Sequence, residues 1–163
     1  MKDVDASKYK HLINTNLTTE AAITDYVAQL EASPDLQKVS QNYLENGVQG
    51  RYVQTTQKGE LVKVEVQTGY QKGNESIRYY LCRGQLVYAN YSEFIKEEGA
   101  NKPVIKELMI AFGQDKLFFA KQKELKFDSS ARTTDLTAVP FKNVRLNYSQ
   151  ELQKAGKNID RAK

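Results

Sequence analysis

The run Leu61-Val62-Lys63-Val64-Glu65-Val66-Gln67-Thr68 decides the fold class. Val62, Val64 and Val66 alternate with Lys63, Glu65 and Gln67, the two-residue period of a strand with one covered and one solvated face. On this reading the valines turn inward and the charged residues outward. Similar short runs recur on both sides, from Gly50 to Phe127, separated by turn signals at Lys58-Gly59, Gln71-Lys72-Gly73-Asn74, Gly84 and Gly113-Gln114-Asp115-Lys116. Strands and turns in regular succession spell an antiparallel meander, and no strand–helix alternation points to a parallel sheet.

The expected strands cover residues 50–56, 60–68, 75–83 and 85–95, a fifth built on Leu108, Ile110 and Phe112, and a sixth over 117–125. In the third, Ile77, Tyr79 and Leu81 share one face, and Arg78, Tyr80 and Cys82 the other. The fourth carries apolar residues at both parities, so both of its faces are expected to be partly covered. Glu97 to Pro103 reads as a polar hairpin loop.

Helix is expected on either side of the sheet. Thr18 or Thr19 caps a helix with Glu20 in its first turn and Ile23, Tyr26, Val27 and Leu30 in one stripe. Ser33-Pro34-Asp35 then suits the start of a second helix, with Leu36, Val39, Tyr43 and Leu44 as its buried face and Gly47 as a left-handed stop. The two make an N-terminal helical hairpin over 18–46. Before it lies a flexible tail, 1–8, and one docking turn containing Tyr9, Leu12 and Ile13. After the sheet come a polar loop, Asp128 to Asp135, and Val139-Pro140-Phe141 covering an edge or an end. A C-terminal helix over 149–160 follows, capped by Ser149, with Leu152, Ala155 and Ile159 as its stripe and Gly156 as an interruption. The expected architecture is α+β: a single domain, 1–163, with an N-terminal helical hairpin, a curved antiparallel sheet of about six strands over 48–127, and a C-terminal helix.

Composition excludes several chemistries. The chain has 163 residues with 24 basic and 20 acidic side chains, a net charge of +4 with the signs interleaved, which gives a nucleic-acid partner little support. No run reaches the roughly eighteen apolar residues of a membrane-spanning helix, and Met1 to Asp5 has no apolar leader core. Cys82 is the sole cysteine, which rules out an intramolecular disulfide and a multi-thiolate zinc site. His11 is the sole histidine, so two-histidine metal motifs are excluded and any histidine-based triad would need this residue. Glycine-rich phosphate loops are absent. Glu65 with Glu75, or Glu93 with Glu107, would be candidate acid pairs, but each sits among lysines and arginines as on an ion-paired, solvated face. No catalytic residue, metal ligand or cofactor site is assigned.

Tyrosine usage is the most informative feature. Tyr52, Tyr70, Tyr79, Tyr80, Tyr88 and Tyr91 fall in or beside strands, and there is no tryptophan. Tyrosine buries a large ring while keeping a polar tip, so it serves a core and a binding face equally well. The candidate binding residues are Tyr52, Tyr80, Tyr91 and Arg78, with Tyr80 and Tyr91 expected on the less covered face.

The segment Ile77-Arg78-Tyr79-Tyr80-Leu81-Cys82-Arg83-Gly84-Gln85-Leu86-Val87-Tyr88, preceded by a Val-x-Val strand and a glycine turn, resembles the meanders of small exported bacterial proteins, many of them lipoproteins of unknown function. The resemblance covers about a quarter of the chain. It implies a periplasmic or cell-envelope location, with a leader and possible lipid anchor removed ahead of the polar tail; a cytoplasmic location is the alternative. The expected function is non-enzymatic: binding another protein through a tyrosine-bearing sheet face or hairpin loops, as an inhibitor, immunity or accessory protein. Two alternatives stand beside it, a carrier of a small apolar ligand held between curved sheet and helices, and an enzyme with an oxygen-only site.

Overall fold

The computed structural model describes residues 6–70, 73–95, 103–126 and 139–163. The fold is α+β, built on an antiparallel sheet. Within the described residues the sheet has eight strands rather than about six, in chain order: β1 (Leu36–Glu45), β2 (Val48–Gln57), β3 (Glu60–Tyr70), β4 (Gly73–Cys82), β5 (Gln85–Ile95), β6 (Val104–Phe112), β7 (Leu117–Lys126) and the short β8 (Lys142–Asn143). It is a plain meander. Helix α1 (Glu20–Glu31) packs on one face, while α2 (Tyr148–Ala162) and a 3-10 helix (Ala6–Leu12) pack on the other.

Helix α1 follows its sequence signals. Thr19 is the N-cap, its hydroxyl accepting from the Ala22 amide at 3.1 Å, and Ile23 and Leu30 are buried. The second helix of the expected hairpin does not exist. Leu36 to Glu45 is strand β1, joined to β2 by Asn46 and Gly47, whose φ values of 51° and 76° are the consecutive left-handed pair that a two-residue hairpin needs. The spacing of Leu36, Val39, Tyr43 and Leu44 fits a helical stripe. In the strand, the same residues divide between the two faces, Leu36 packing toward α1 and Tyr43 toward α2. Lys58-Gly59 and Arg83-Gly84 make two more turns of this kind.

Each of the hairpins β2–β3, β4–β5 and β6–β7 carries one bulge. Thr55 and Thr56 pair with Lys63 and Leu61, leaving Val62 extra; Tyr80 and Leu81 leave Val87 extra; Ala111 and Phe112 leave Phe118 extra. The extra residue shifts the alternation. Leu61, Leu86 and Leu117 pack into the α2-side core, whereas Val62, Val87 with Tyr88, and Phe118 with Phe119 pack into the α1-side core. This corrects the expected alternation: Val64 and Val66 face α2, but Val62 faces α1. Lys63 and Glu65 are buried rather than solvated, at 6% and 7% exposure.

The chain crosses between faces at Asn14 to Leu17. Asn14 is a buried amide whose Nδ2 donates to the Leu17 and Phe112 carbonyls (2.7 and 2.9 Å) and whose Oδ1 accepts from the Asn16 and Leu17 amides (3.1 and 2.9 Å). Asn16 donates to the Cys82 carbonyl at 3.0 Å, fastening the crossing to the β4–β5 turn. The expected tail is likewise corrected: Ala6, Ser7 and Lys8 open the 3-10 helix, while residues 1–5 lie outside the described residues. So do 71–72 of one expected turn, 96–102, which hold all of the polar hairpin loop except Pro103, and 127–138, which hold the expected loop from Asp128 to Asp135.

Helix α2 is capped by Asn147, not Ser149: the Asn147 Oδ1 accepts from the Gln150 amide at 2.9 Å. Leu152, Ala155 and Ile159 are buried, and Gly156 is part of the packing. A Cβ there would lie 2.3 Å from the Tyr9 ring, so the glycine is what lets the 3-10 helix seat on α2. Gly156→Ala should therefore destabilise the fold by about 1–3 kcal/mol through overpacking, despite a helix-propensity gain of about 1 kcal/mol. Urea unfolding would measure it, and the cost of Gly156→Ala should be smaller in a Tyr9→Ala background than in the wild type.

Candidate functional site

The four tyrosine and arginine candidates do not form one surface. In the register of β4 and β5, Ile77 lies opposite Tyr91, while Tyr80 lies opposite Tyr88, so Tyr91 and Tyr80 point to opposite faces. Both are covered, with exposures of 9% and 4%. This corrects the expectation that both lie on one, less covered face.

Tyr80 and Arg78 belong to a charged network beneath the end of α1. The Tyr80 hydroxyl donates to Glu31 Oε1 at 2.7 Å, and Lys63 Nζ reaches the same oxygen at 2.8 Å. Lys63 Nζ also sits 5.2 Å from the centre of the Tyr80 ring, and Glu65 Oε1 lies 3.4 Å from Arg78 Nε and 3.9 Å from Lys63. Burial pushes the Glu31 carboxyl upward, but the bonds from Lys63 and Tyr80 outweigh it and hold the pKa below its ordinary value. Tyr91 is part of a second polar chain, under α2. Its hydroxyl is 3.3 Å from that of Tyr79, which accepts from Asn158 Nδ2 at 2.8 Å, while Lys154 Nζ caps the Tyr91 ring at 4.7 Å. Burial raises both phenols, Tyr79 to about 12.

The carboxylates considered for an oxygen-only site are dispersed. Glu65 is engaged by Arg78, and Glu107 accepts from Asn90 at 3.3 Å with Lys123 at 3.9 Å. Glu93 lies opposite Glu75 in the β4–β5 register, on the α2 side with Ile77 and Tyr91. Glu65, Glu93 and Glu107 thus do not converge. Burial raises the pKa of the Cys82 thiol, so the thiolate is disfavoured, and His11 is exposed. Among the described residues, no three of His, Cys, Asp and Glu come together to hold a metal ion.

Tyr52 does border an open concavity. A groove of about 870 Å³ lies between α2 and the β1–β4 part of the sheet. Its floor holds Tyr43, Tyr52, Val66 and Ile77, with Tyr70, 48% exposed, also in the lining. Tyr43 and Tyr52 stack with centroids 4.6 Å apart and planes at 26°. Gly50 makes room for that stack, since a Cβ there would fall 2.1 Å from the Tyr43 ring. The Tyr43 hydroxyl is fixed 2.7 Å from Thr68 Oγ1.

Cations dominate the opposite wall. Lys154, Lys157 and Arg161 come from α2, which also carries Asp160, and Lys8 comes from the 3-10 helix; Glu45 and Glu75 lie on the sheet side. Burial, then the opposed Glu93, raises the Glu75 carboxyl, while Lys154 pulls it back down. Burial also raises Tyr52 and Tyr70, so their hydroxyls stay neutral donors and acceptors at pH 7. Sequence reasoning missed Tyr43, assigned to a helix, and the α2 cations. The Asn46-Gly47 pair was the signal for the first, and the i, i+3, i+7 spacing of Lys154, Lys157 and Arg161 for the second.

Comparison of the chain with protein-family models, with characterised proteins and with solved structures found no match.

The α1 network gives a pH test. A carboxyl held below its unfolded pKa stabilises the fold above that value, and this contribution is lost as pH falls through the folded pKa. Glu31→Gln should lower stability at neutral pH and flatten the acid-side decline below the ordinary value of 4.5, read from denaturation midpoints across pH.

Proposed function

We propose that the chain is a non-enzymatic binding protein of the exported or envelope type that receives a segment of another protein in the groove between α2 and strands β1–β4. The Tyr43–Tyr52 stack with Tyr70, facing Lys157 and Arg161, carries this reading. Tyrosine and arginine are the residue types enriched where interfaces concentrate their binding energy, because each presents a large contact area and a polar tip. The stack is already held by Gly50 and Thr68, so little ordering cost remains when a partner arrives. Four cationic side chains against three acidic ones favour a segment that brings carboxylates to the α2 wall and an apolar or aromatic side chain to the floor.

The charged lining supports a peptide over a small apolar ligand, which would suit an enclosed apolar chamber better. The exported location rests on the resemblance of the 77–88 hairpin alone. Inhibitor, immunity and accessory roles all fit a preformed groove of this kind.

Affinity capture from the native source, followed by titration of the purified partner, tests the proposal. Tyr70→Ala combined with Lys157→Glu should weaken binding by about tenfold or more, since loss of an interface anchor costs roughly 2 kcal/mol. Undiminished affinity in that variant, with the fold intact by circular dichroism, would remove the groove from consideration.

A further inference from the structure

Strand β1 forms one edge of the sheet, and among the described residues no strand lies outside it. Glu45 and Val48 flank a two-residue turn and form its closing hydrogen-bonded pair. Counting back by twos, Tyr43, Gln41, Val39 and Gln37 therefore direct their backbone groups to β2. Lys38, Ser40, Asn42 and Leu44 direct theirs outward.

Edges of this length are normally blunted by proline, bulges or several lysines. Here the register from Leu36 to Glu45 is unbroken, proline is absent, and Lys38 is the single lysine. The strand instead exposes two large apolar side chains, Val39 at 68% and Leu44 at 67%.

We propose that β1 pairs antiparallel with β1 of a second copy about a two-fold axis at Gln41, making one continuous sheet across the dimer. A two-fold pairing must match residues whose side chains share a face, so residue numbers in each pair must sum to an even value. Centring on Gln41 sets Val39 against Tyr43 of the second copy, Ser40 against Asn42, and Lys38 against Leu44, whose exposed surface the lysine stem would cover. Gln41 meets Gln41, a self-complementary amide pair. Shifting the axis one residue either way sets Val39 against Gln41 or Glu45 and leaves it without an apolar neighbour. No like charges oppose one another, because the strand has one cation and one anion and neither meets its own kind. A strand so nearly neutral selects a copy of itself over a strongly acidic or basic segment. Tyr43 borders both this seam and the groove, so the pairing is tested by mass and cross-linking rather than by groove binding.

Sedimentation of the whole chain over a concentration series tests the proposal, with twice the 18.6 kDa chain mass expected at the upper end. Ser40→Pro removes an outward amide while leaving the β2 ladder intact, and should return the mass to that of one chain. For register, Gln41→Cys in a Cys82→Ser background should oxidise to a covalent dimer, since a non-hydrogen-bonded pair brings Cα atoms to about 4.5 Å, within disulfide reach. Val39→Cys in the same background should not, its counterpart lying more than about 13 Å away. A wild-type chain that stays at single mass throughout would overturn the proposal. So would a folded Ser40→Pro variant that keeps the doubled mass, or Gln41→Cys cross-linking no faster than Val39→Cys.

Discussion

A sheet covered by helices on both faces cannot use simple alternation, because each strand has to send apolar groups in two directions. The three bulged hairpins meet that demand. At Val62, Val87 and Phe118 one added residue lets a leucine turn toward α2 and an adjacent apolar pair or apolar–lysine pair turn toward α1. All three bulges lie just after the turn on the returning strand, so the apolar patch they create is gathered at one end of the sheet. That patch is where α1 docks. Beyond it, the same face becomes polar, and Lys63, Glu65, Arg78 and Glu31 close the boundary as a bonded network. Removing Glu31 would leave the buried Lys63 with Glu65, at 3.9 Å, in place of its 2.8 Å partner, so the helix end and the strand are coupled.

The meander was legible because its signals are local. Valine alternation, Lys58-Gly59 and Arg83-Gly84 each specify a strand or turn within a few residues. What went unread depended on choosing between periodicities that short segments satisfy equally well. Leu36, Val39, Tyr43 and Leu44 fit a helix, and only the following Asn46-Gly47 pair makes the strand compelling. The bulges also left a trace that periodicity obscured. Gly59-Glu60-Leu61-Val62 and Gly84-Gln85-Leu86-Val87 are near copies, and Lys116-Leu117-Phe118 follows the same order of leucine then extra apolar residue. Reading these as one device repeated in three hairpins would have placed Val62 and Lys63 correctly.

The site was less legible than the fold for a physical reason. Whether a tyrosine is buried or presented depends on which strand lies opposite and where the helices end, and neither is encoded near the residue itself. Tyr79 and Tyr80 are adjacent in sequence, yet one is held by Asn158 of α2 and the other by Glu31 of α1. The groove arises from elements far apart in the chain, with Tyr43 and Tyr52 on the first hairpin and Lys157 and Arg161 on the final helix. Only the folded register brings them together.

The seating of Tyr9 against Gly156 joins the earliest and the latest described helices. Consecutive strands can pair as soon as they leave the ribosome, but the α2-side core stays uncovered until Tyr148 to Ala162 has been made. A growing chain thus presents Leu81, Leu86, Ile110 and Phe112, each from the moment it emerges, until α2 follows. Chaperone contact during translation would act on that surface, and proteolytic loss of α2 afterwards would open it again.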